Sequence, residues 1–277
     1  MRAVGLSAAF LVFGFLLAIG LVGLGTFVLW GGAPPDLVPA TQLQTASLLT
    51  AYGFATWLFG FRLAGLDPVA LRWRPAAPRR FARGLLIGAI PASIAMLVAV
   101  PVAGATWLED GGSVGEWTGS VAGLVALLAP AAVVEELIFR GVPLVLLAGA
   151  FGRATAVVAM AIVFGVAHLV NPDITGLALG NIALAGVLLG TVFYLPGGIW
   201  TAIGAHIGWN LTLAVLAAPV SGLPLPVAGI DYLPGGPAWL SGGGFGPEGG
   251  LLATAALGAA TMMAGRRVEK SEGGSGG

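Results

Sequence analysis

The sequence predicts an all-α membrane protein, a polytopic bundle of about eight helices, and three observations support this prediction. Hydrophobic residues make up 57% of the 277-residue chain and charged residues only 9%, whereas a soluble domain carries about 25% charged residues. The apolar runs are continuous and roughly 17–25 residues long, which is the length that spans a bilayer core as a helix. They lack the alternation with a period of two that marks the strands of a membrane barrel.

The composition also excludes several classes of function. The chain has no cysteine, which excludes disulfides, cysteine-ligated zinc and thiol catalysis. Its formal net charge is zero, so nothing indicates nucleic acid as a partner, and the lipid bilayer is the expected environment. The 46 glycines and 18 prolines lie largely within apolar segments, where neighbouring helices satisfy the backbone groups that they free.

The predicted helices occupy most of the chain. They span about residues 4–30, 41–65, 84–107, 117–150, 154–170, 175–195, 199–218 and 251–264. The first is too long for a signal peptide and is not followed by a small-residue cleavage site. Residues 1–265 are predicted to form one integral membrane domain, and the polar residues 266–277 are expected to be a disordered tail.

Under this count, the charged residues outside the helices separate into two groups. The loops on one side carry the basic residues Arg2, Arg72, Arg74, Arg79, Arg80, Arg83, Arg153, Arg266, Arg267 and Lys270. The loops on the other side carry the acidic residues Asp36, Glu109, Asp110, Glu116, Asp173, Asp231 and Glu248. Basic residues in short loops mark the cytoplasmic side of a membrane protein. Both termini are therefore predicted to be cytoplasmic.

The fourth predicted helix carries three ionisable residues, Glu135, Glu136 and Arg140, in the middle of an apolar run. A charge inside the bilayer costs at least ~2.5–3.5 kcal/mol and points to a functional site. Glu136 and Arg140 are four residues apart, so the spacing predicts an ion pair on one helix face. Glu135 lies roughly 100° around the helix from Glu136 and is predicted to face other partners.

The two histidines of the chain, His168 and His206, lie inside the fifth and seventh predicted helices. A single histidine in a membrane helix can serve only to hydrogen-bond one helix to another. Here the histidines accompany two glutamates and an arginine, and Asn210 follows His206 by one helical turn. This set, spread over three helices, favours a shared polar cavity with His168 and His206 as partners of Glu135.

Such a set suits hydrolysis by an activated water. A shielded carboxylate is a competent general base, and a histidine can hold the water beside it. A second histidine and an asparagine amide can donate to the oxyanion of a tetrahedral intermediate. One carboxylate and two histidines could equally bind zinc. The sequence has no HExxH motif, and an asparagine suits an oxyanion hole better than a zinc shell, so the metal-free reading is favoured and the zinc reading stays open.

Three motifs in order resemble those of the CPBP family, the CAAX prenyl proteases and bacteriocin-processing enzymes that are also called Abi proteins. They are EExxxR at residues 135–140, FxxxH at residues 164–168 and HxxxN at residues 206–210. Each motif alone is common, but all three in separate membrane helices are specific. The resemblance covers residues 117–218 in detail and extends to the eight-helix layout.

The resemblance implies a type II CAAX prenyl endopeptidase-like, glutamate-dependent intramembrane protease. At the matching motif positions, the resemblance implies that Glu135 activates water with His168, while His206 and Asn210 stabilise the oxyanion. The supporting residues are Glu136, Arg140 and Phe164. The substrate is expected to be a membrane-associated peptide or protein, and the compact, glycine- and alanine-rich chain suggests the cell membrane of a bacterium.

Two other classes of function use buried charges. A proton-coupled transporter would also place Glu, His and Arg within the membrane, although such proteins more often show internal repeats and broken helices. A non-catalytic scaffold would use the same groups only to join helices. The depth of His206 is a difficulty for a shared site. His206 lies about eight residues, some 12 Å, from its predicted turn, whereas Glu135 and His168 lie about fifteen residues from theirs.

Overall fold

The computed structural model describes residues 1–33, 37–72 and 78–273. Two charged residues used for the predicted orientation, Asp36 and Arg74, lie outside the described residues, as do residues 274–277 of the tail. The helices are α1 (Arg2–Trp30), α2 (Leu37–Ala55), which continues as a π-helix (Thr56–Leu63), α3 (Pro78–Ala103), α4 (Val114–Arg140), α5 (Val142–Phe151), α6 (Arg153–Ala167), α7 (Gly176–Val192), α8 (Ile199–Val215), α9 (Ala238–Ser241) and α10 (Leu251–Gly273).

The all-α polytopic class is confirmed by this architecture. Three helical stretches of the described chain are long and apolar enough to cross a membrane: Arg2–Trp30, Pro78–Ala103 and Val114–Phe151. Two further apolar helices, Arg153–Ala167 and Gly176–Val192, are shorter. A two-stranded antiparallel ribbon, which the sequence did not predict, joins β1 (Thr106–Glu109) to β2 (Ile230–Leu233).

Several boundaries differ from the predicted ones, and three of the differences change the layout. The fourth predicted helix is divided into α4 and α5 at Gly141, where the helical conformation is lost. A side chain at Gly141 would overlap the carbonyl oxygen of Leu137, and Pro143 begins the new helix, which suits the first turn because proline lacks an N–H donor. The fifth predicted helix ends at Ala167 rather than near residue 170. Where a disordered tail was expected, α10 continues as helix to Gly273.

The acidic and basic loops lie at opposite ends of the bundle. At one end, the ribbon joins the loops that contain Glu109 and Asp231, and Asp110 accepts a hydrogen bond of 2.6 Å from the Gly229 N–H. At the other end, the guanidinium groups of Arg72 and Arg153 lie 5.9 and 4.9 Å from the ring of Tyr194. This separation agrees with the even number of crossings that the sequence predicted. The cytoplasmic placement of the termini stays a prediction.

Helices α3 and α8 are in direct backbone contact. Gly84 and Gly88 of α3 face Gly204 and Gly208 of α8, and a side chain at any of the four would overlap backbone atoms of the other helix. Each pair is a GxxxG motif, which lets membrane helices approach closely enough for extensive van der Waals contact. His206 lies between the two glycines of α8, so this packing fixes the helix that carries it.

Candidate active site

Three helices bring the ionisable residues of the membrane core together. Helix α4 supplies Glu135, Glu136 and Arg140, the end of α6 supplies His168, and α8 supplies His206. We refer to these five residues as the Glu135 cluster. All seven residues that the sequence singled out lie on these helices or at their ends, and six of them are joined by the contacts below.

The predicted ion pair between Glu136 and Arg140 is present and fully enclosed. Arg140 Nη1 donates to Glu136 Oε1 at 2.9 Å, and neither side chain is more than 2% exposed. Arg140 Nη2 donates at 3.2 Å to the carbonyl oxygen of Gly186 in α7. A buried charge is stable only when paired and hydrogen-bonded, so this pair also anchors α4 to α7.

Glu136 has a second partner that the sequence did not reveal. His206 Nδ1 lies 2.8 Å from Glu136 Oε1, the same oxygen that accepts from Arg140. A carboxylate oxygen only accepts, so the imidazole donates its Nδ1–H and its Nε2 is turned away from Glu136. Glu136 therefore orients the imidazole of His206 in addition to neutralising Arg140.

His168 lies at the end of a helix and not within one. It is the residue that caps α6, and its Nδ1 lies 2.7 Å from the carbonyl oxygen of Phe164. The last carbonyls of a helix have no hydrogen-bond donor within it. The imidazole of His168 supplies a donor to the carbonyl of Phe164 through its Nδ1–H. As with His206, Nε2 is the nitrogen left to face the cavity.

Glu135 faces both histidines, as its position on the helix predicted. Its Oε2 lies 3.7 Å from His206 Nε2 and 4.0 Å from His168 Nε2. Both distances exceed that of a direct hydrogen bond, and this oxygen accepts none from the described residues. The Glu135 side chain is 31% exposed, so it is open to the surroundings while Glu136 is enclosed.

Phe164 packs at the centre of the cluster. Its ring centroid is 4.6 Å from that of His168 and 6.2 Å from that of His206. The guanidinium carbon of Arg140 lies 4.7 Å from the same ring, within the range of a cation–π interaction. Phe164 thus packs against both imidazole rings and the guanidinium of Arg140 and limits the rotation of the two rings.

Asn210 is the one predicted residue without a contact to the cluster. It follows His206 by one turn on α8 and is partly exposed. Its amide makes no hydrogen bond to the described residues, so it is available to a bound molecule. The next residue towards the N-terminus, Trp209, is 6% exposed and points into the protein.

The turn that precedes α8 bears on the depth of His206. Gly198 and Ile199 are buried, and a side chain at Gly198 would overlap Arg72 in the loop after α2. Arg72 also donates to the carbonyl of Leu195 at 3.5 Å. The end of the turn is therefore covered by the basic loop, and α8 begins at a buried position.

A second buried carboxylate, Glu248, lies in the loop between α8 and α10. The sequence placed it among the loop acids, but it is only 4% exposed. Its Oε1 accepts from Trp209 Nε1 at 3.0 Å, and its Oε2 accepts from the Ser221 N–H and, at 3.1 Å, from the Ser221 hydroxyl. Nothing in the local sequence indicates these contacts, because the partners are 39 and 27 residues away.

The backbone around Glu248 is tied to two further helices. Asn181 of α7 donates to the carbonyl oxygens of Glu248 and Gly250 at 2.7 and 2.9 Å, and it accepts from the Thr254 hydroxyl at 2.7 Å. We refer to Glu248, Trp209, Ser221, Asn181 and Thr254 as the Glu248 cluster. Burial raises the pKa of the Glu248 carboxyl, and the hydrogen bonds from Ser221 and Trp209 partly oppose that shift. The cluster fastens the loop over the ends of α7, α8 and α10.

The described residues contain no group of three or more His, Cys, Asp or Glu side chains placed to hold a metal ion. A catalytic zinc requires three protein ligands at about 2.0–2.2 Å. The Nδ1 atoms of both histidines are engaged elsewhere, and one of them is bound to Glu136. The Nε2 atoms of both histidines face Glu135, so these three side chains are the ones that would hold either a water molecule or a zinc ion.

These observations define a class: a helical membrane protein with a carboxylate–histidine site enclosed among its helices. Residues 117–212 match the family model described as Type II CAAX prenyl endopeptidase Rce1-like. The match covers roughly a third of the chain and includes all of the Glu135 cluster, Phe164 and Asn210. No curated protein matches this chain, and no solved structure matches it.

The family match confirms the resemblance seen in the three motifs. Over residues 117–212 the chain is similar to the Rce1-like type II CAAX prenyl endopeptidases. The general activity that this supports is hydrolysis of peptide bonds by a membrane protein.

Proposed function

We propose that this protein is an intramembrane endopeptidase in which a water molecule activated by Glu135 attacks the substrate carbonyl. The observation that supports this most directly is the position of Glu135 Oε2, 3.7 and 4.0 Å from the Nε2 atoms of His206 and His168. A polar separation beyond 3.5 Å is one that a bridging water spans. Water held among a carboxylate and two imidazoles is placed to lose a proton and to act as the nucleophile.

The two histidines differ in the partner of Nδ1, and this difference suggests different roles. His168 donates Nδ1–H to the carbonyl of Phe164, so its Nε2 is the nitrogen that faces a bound water. His206 donates to the Glu136 carboxylate and also faces Glu135. Two carboxylates favour the charged imidazolium, whose Nε2–H can donate to an oxyanion.

The proposed reaction consumes one water molecule and needs no co-reactant beyond the side chains already named. Glu135 takes a proton from water while the water oxygen bonds to the peptide carbonyl carbon. The resulting oxyanion is stabilised by His206 Nε2–H and by the unengaged amide of Asn210. Collapse of the intermediate breaks the C–N bond, and Glu135 returns its proton to the leaving nitrogen. The products are a carboxylic acid and an amine.

We propose the metal-free form of this chemistry, because the amide of Asn210 suits an oxyanion hole better than a zinc shell. The zinc-dependent form predicts a different experimental result. Protein purified without metal would be inactive, and added zinc would restore turnover. Turnover that is unchanged by a chelator and by added zinc supports the metal-free form.

The substrate class that we propose is a membrane-associated peptide or protein, cleaved in the cell membrane of a bacterium. Glu135, His168 and Asn210 are partly exposed, whereas Glu136 and Arg140 are enclosed, so a substrate segment would approach the cluster from the side of the first three. The family description points to prenylated CAAX peptides, and the bacterial character of the chain favours a peptide, a lipoprotein or another membrane protein.

The test is peptide cleavage by the purified full-length protein in liposomes. We expect Glu135→Gln to lower the rate by about 10²–10⁴-fold, the range for loss of a general base. Asn210→Ala is expected to lower it by about 10²–10³-fold, the range for loss of one oxyanion donor. The matched control is Glu116→Gln, since Glu116 lies at the exposed start of the same helix. Full activity of Glu135→Gln would overturn the proposal.

A further inference from the structure

A long apolar groove runs between α3 and α10, away from the Glu135 cluster. The cavity measures about 510 Å³. One wall is formed by the exposed side chains of Leu86, Ile90 and Ile94 on α3, while α10 contributes a row of alanines that leaves the space unfilled. From Arg83 to Val98 the groove extends for about 22 Å along α3, which exceeds the ~15 Å of hydrocarbon in one leaflet.

Two arginines lie at the same end of this groove. Gly235 and Gly236, in the loop that leads to α10, lie against Ala103 at the end of α3. The start of α10 is thus close to the end of α3, and the two helices are antiparallel. Arg83, near the start of α3, and Arg267, near the end of α10, therefore border the opposite end of the groove, which is the end where Arg72 and Arg153 lie.

The positive charge of Arg83 and Arg267 is not balanced by an ion pair within the described residues. Both arginines are exposed, and neither is paired with a carboxylate of the described residues. Every other residue that lines the groove is apolar. A groove that is apolar along its length and doubly positive at one end is complementary to a molecule with a hydrocarbon chain and an anionic head.

We propose that this groove is a binding site for one anionic phospholipid, with an acyl chain along the alanines of α10 and the phosphate between Arg83 and Arg267. An unfilled groove forfeits dispersion contacts on its walls, and an acyl chain supplies them. Basic residues at the membrane surface attract anionic lipid headgroups. The site is separate from the proposed catalytic residues, because none of them lines the groove, and it does not depend on the proposed function.

The experiment compares two lipids that share their acyl chains. The full-length protein is stripped of lipid in detergent, incubated with phosphatidylglycerol or phosphatidylcholine, and examined by native mass spectrometry for retained lipid. We expect retention of one phosphatidylglycerol in clear preference to phosphatidylcholine. The double variant R83Q/R267Q should lose this preference, by roughly fivefold for each arginine removed. The matched control R79Q/R266Q changes two arginines that do not line the groove and should keep it.

A second pair of variants tests the acyl-chain part of the site. Ala259→Phe places a ring in the groove from an exposed position and should abolish retention of both lipids. Met262→Phe changes an exposed α10 side chain outside the groove and should have no effect. Equal retention of the two lipids by the wild-type protein would overturn the proposal. A dimer that persists in R83Q/R267Q and dissociates in Ala259→Phe would also overturn it, because the groove would then hold a second copy of the chain.

Discussion

The Glu135 cluster and the Glu248 cluster both bury a carboxylate, but they satisfy it differently. Both oxygens of Glu248 accept hydrogen bonds, from Trp209 and from Ser221. In the Glu135 cluster, Glu136 Oε1 accepts twice, whereas Glu136 Oε2 and Glu135 Oε2 are buried and accept none from the described residues. Unsatisfied buried polar atoms are rare in native proteins and call for an explanation.

The contrast separates a structural network from a reactive one. A carboxylate whose two oxygens both accept hydrogen bonds from the protein holds its neighbours in place and has no free oxygen to contact a substrate. A carboxylate with an open acceptor site, facing two imidazole nitrogens, is suited to hold a water. The adjacent glutamates of the Glu135 cluster differ in their partners and exposure: Glu136 is enclosed and its Oε1 accepts from Arg140 and His206, whereas Glu135 is 31% exposed and no histidine lies within hydrogen-bonding distance of it.

The largest expected effect on stability is that of Glu136→Gln. It leaves Arg140 as a buried charge without its partner and removes the group that orients His206, so we expect a loss of about 3–5 kcal/mol in the free energy of unfolding. Thermal unfolding in detergent micelles would measure it. Glu116→Gln changes an exposed residue at the start of the same helix and keeps the capping-box pattern, so its effect should be much smaller.

Replacement of both partners of that pair sharpens the test. The double variant Glu136→Leu/Arg140→Leu leaves no unpaired charge and should be more stable than Glu136→Leu alone. If the single variant were as stable as the wild-type protein, Glu136 would not be the anchor of the cluster.

A smaller effect is expected at Glu248. The amide of Glu248→Gln has one acceptor oxygen, which cannot serve both Trp209 and Ser221, so at least one donor loses its partner at a cost of about 1–3 kcal/mol. Turnover of the folded protein should stay within about tenfold of wild type. Ser221→Ala, which removes only the hydroxyl bond, should cost about 1 kcal/mol. A loss of turnover as large as that of Glu135→Gln would erase the distinction between the two clusters.

The smallest effect is the pH dependence that Glu248 contributes. Burial raises the pKa of Glu248 in the folded state above the ordinary 4.5. Between 4.5 and this raised pKa, the folded protein therefore binds more protons than the unfolded chain. The contribution of Glu248 to stability is therefore full at low pH and declines as the pH rises through that window. The stability difference between wild type and Glu248→Gln, measured by thermal unfolding from pH 4.5 upward, should shrink. A difference independent of pH would contradict this assignment.

Much of the helical layout and the location of the site could be predicted, because both depend on local spacing. The Glu136–Arg140 pair and the separate direction of Glu135 follow from 3.6 residues per turn. Two local details were missed. The helix ends one residue before His168, and α4 breaks at Gly141. Both are helix ends, and the position of a helix end depends on the partners that the terminal backbone groups find outside the helix.

The sequence by itself determined that this is a helical membrane protein that resembles the CAAX proteases over residues 117–212, with its ionisable residues on three helices. Only the tertiary structure decided which of those residues meet: that His206 binds Glu136 as well as facing Glu135, that Glu248 reaches Trp209, and that α3 packs on α8. The physical reason is that spacing along one helix is set by backbone geometry, whereas contacts between distant helices depend on how their surfaces fit together.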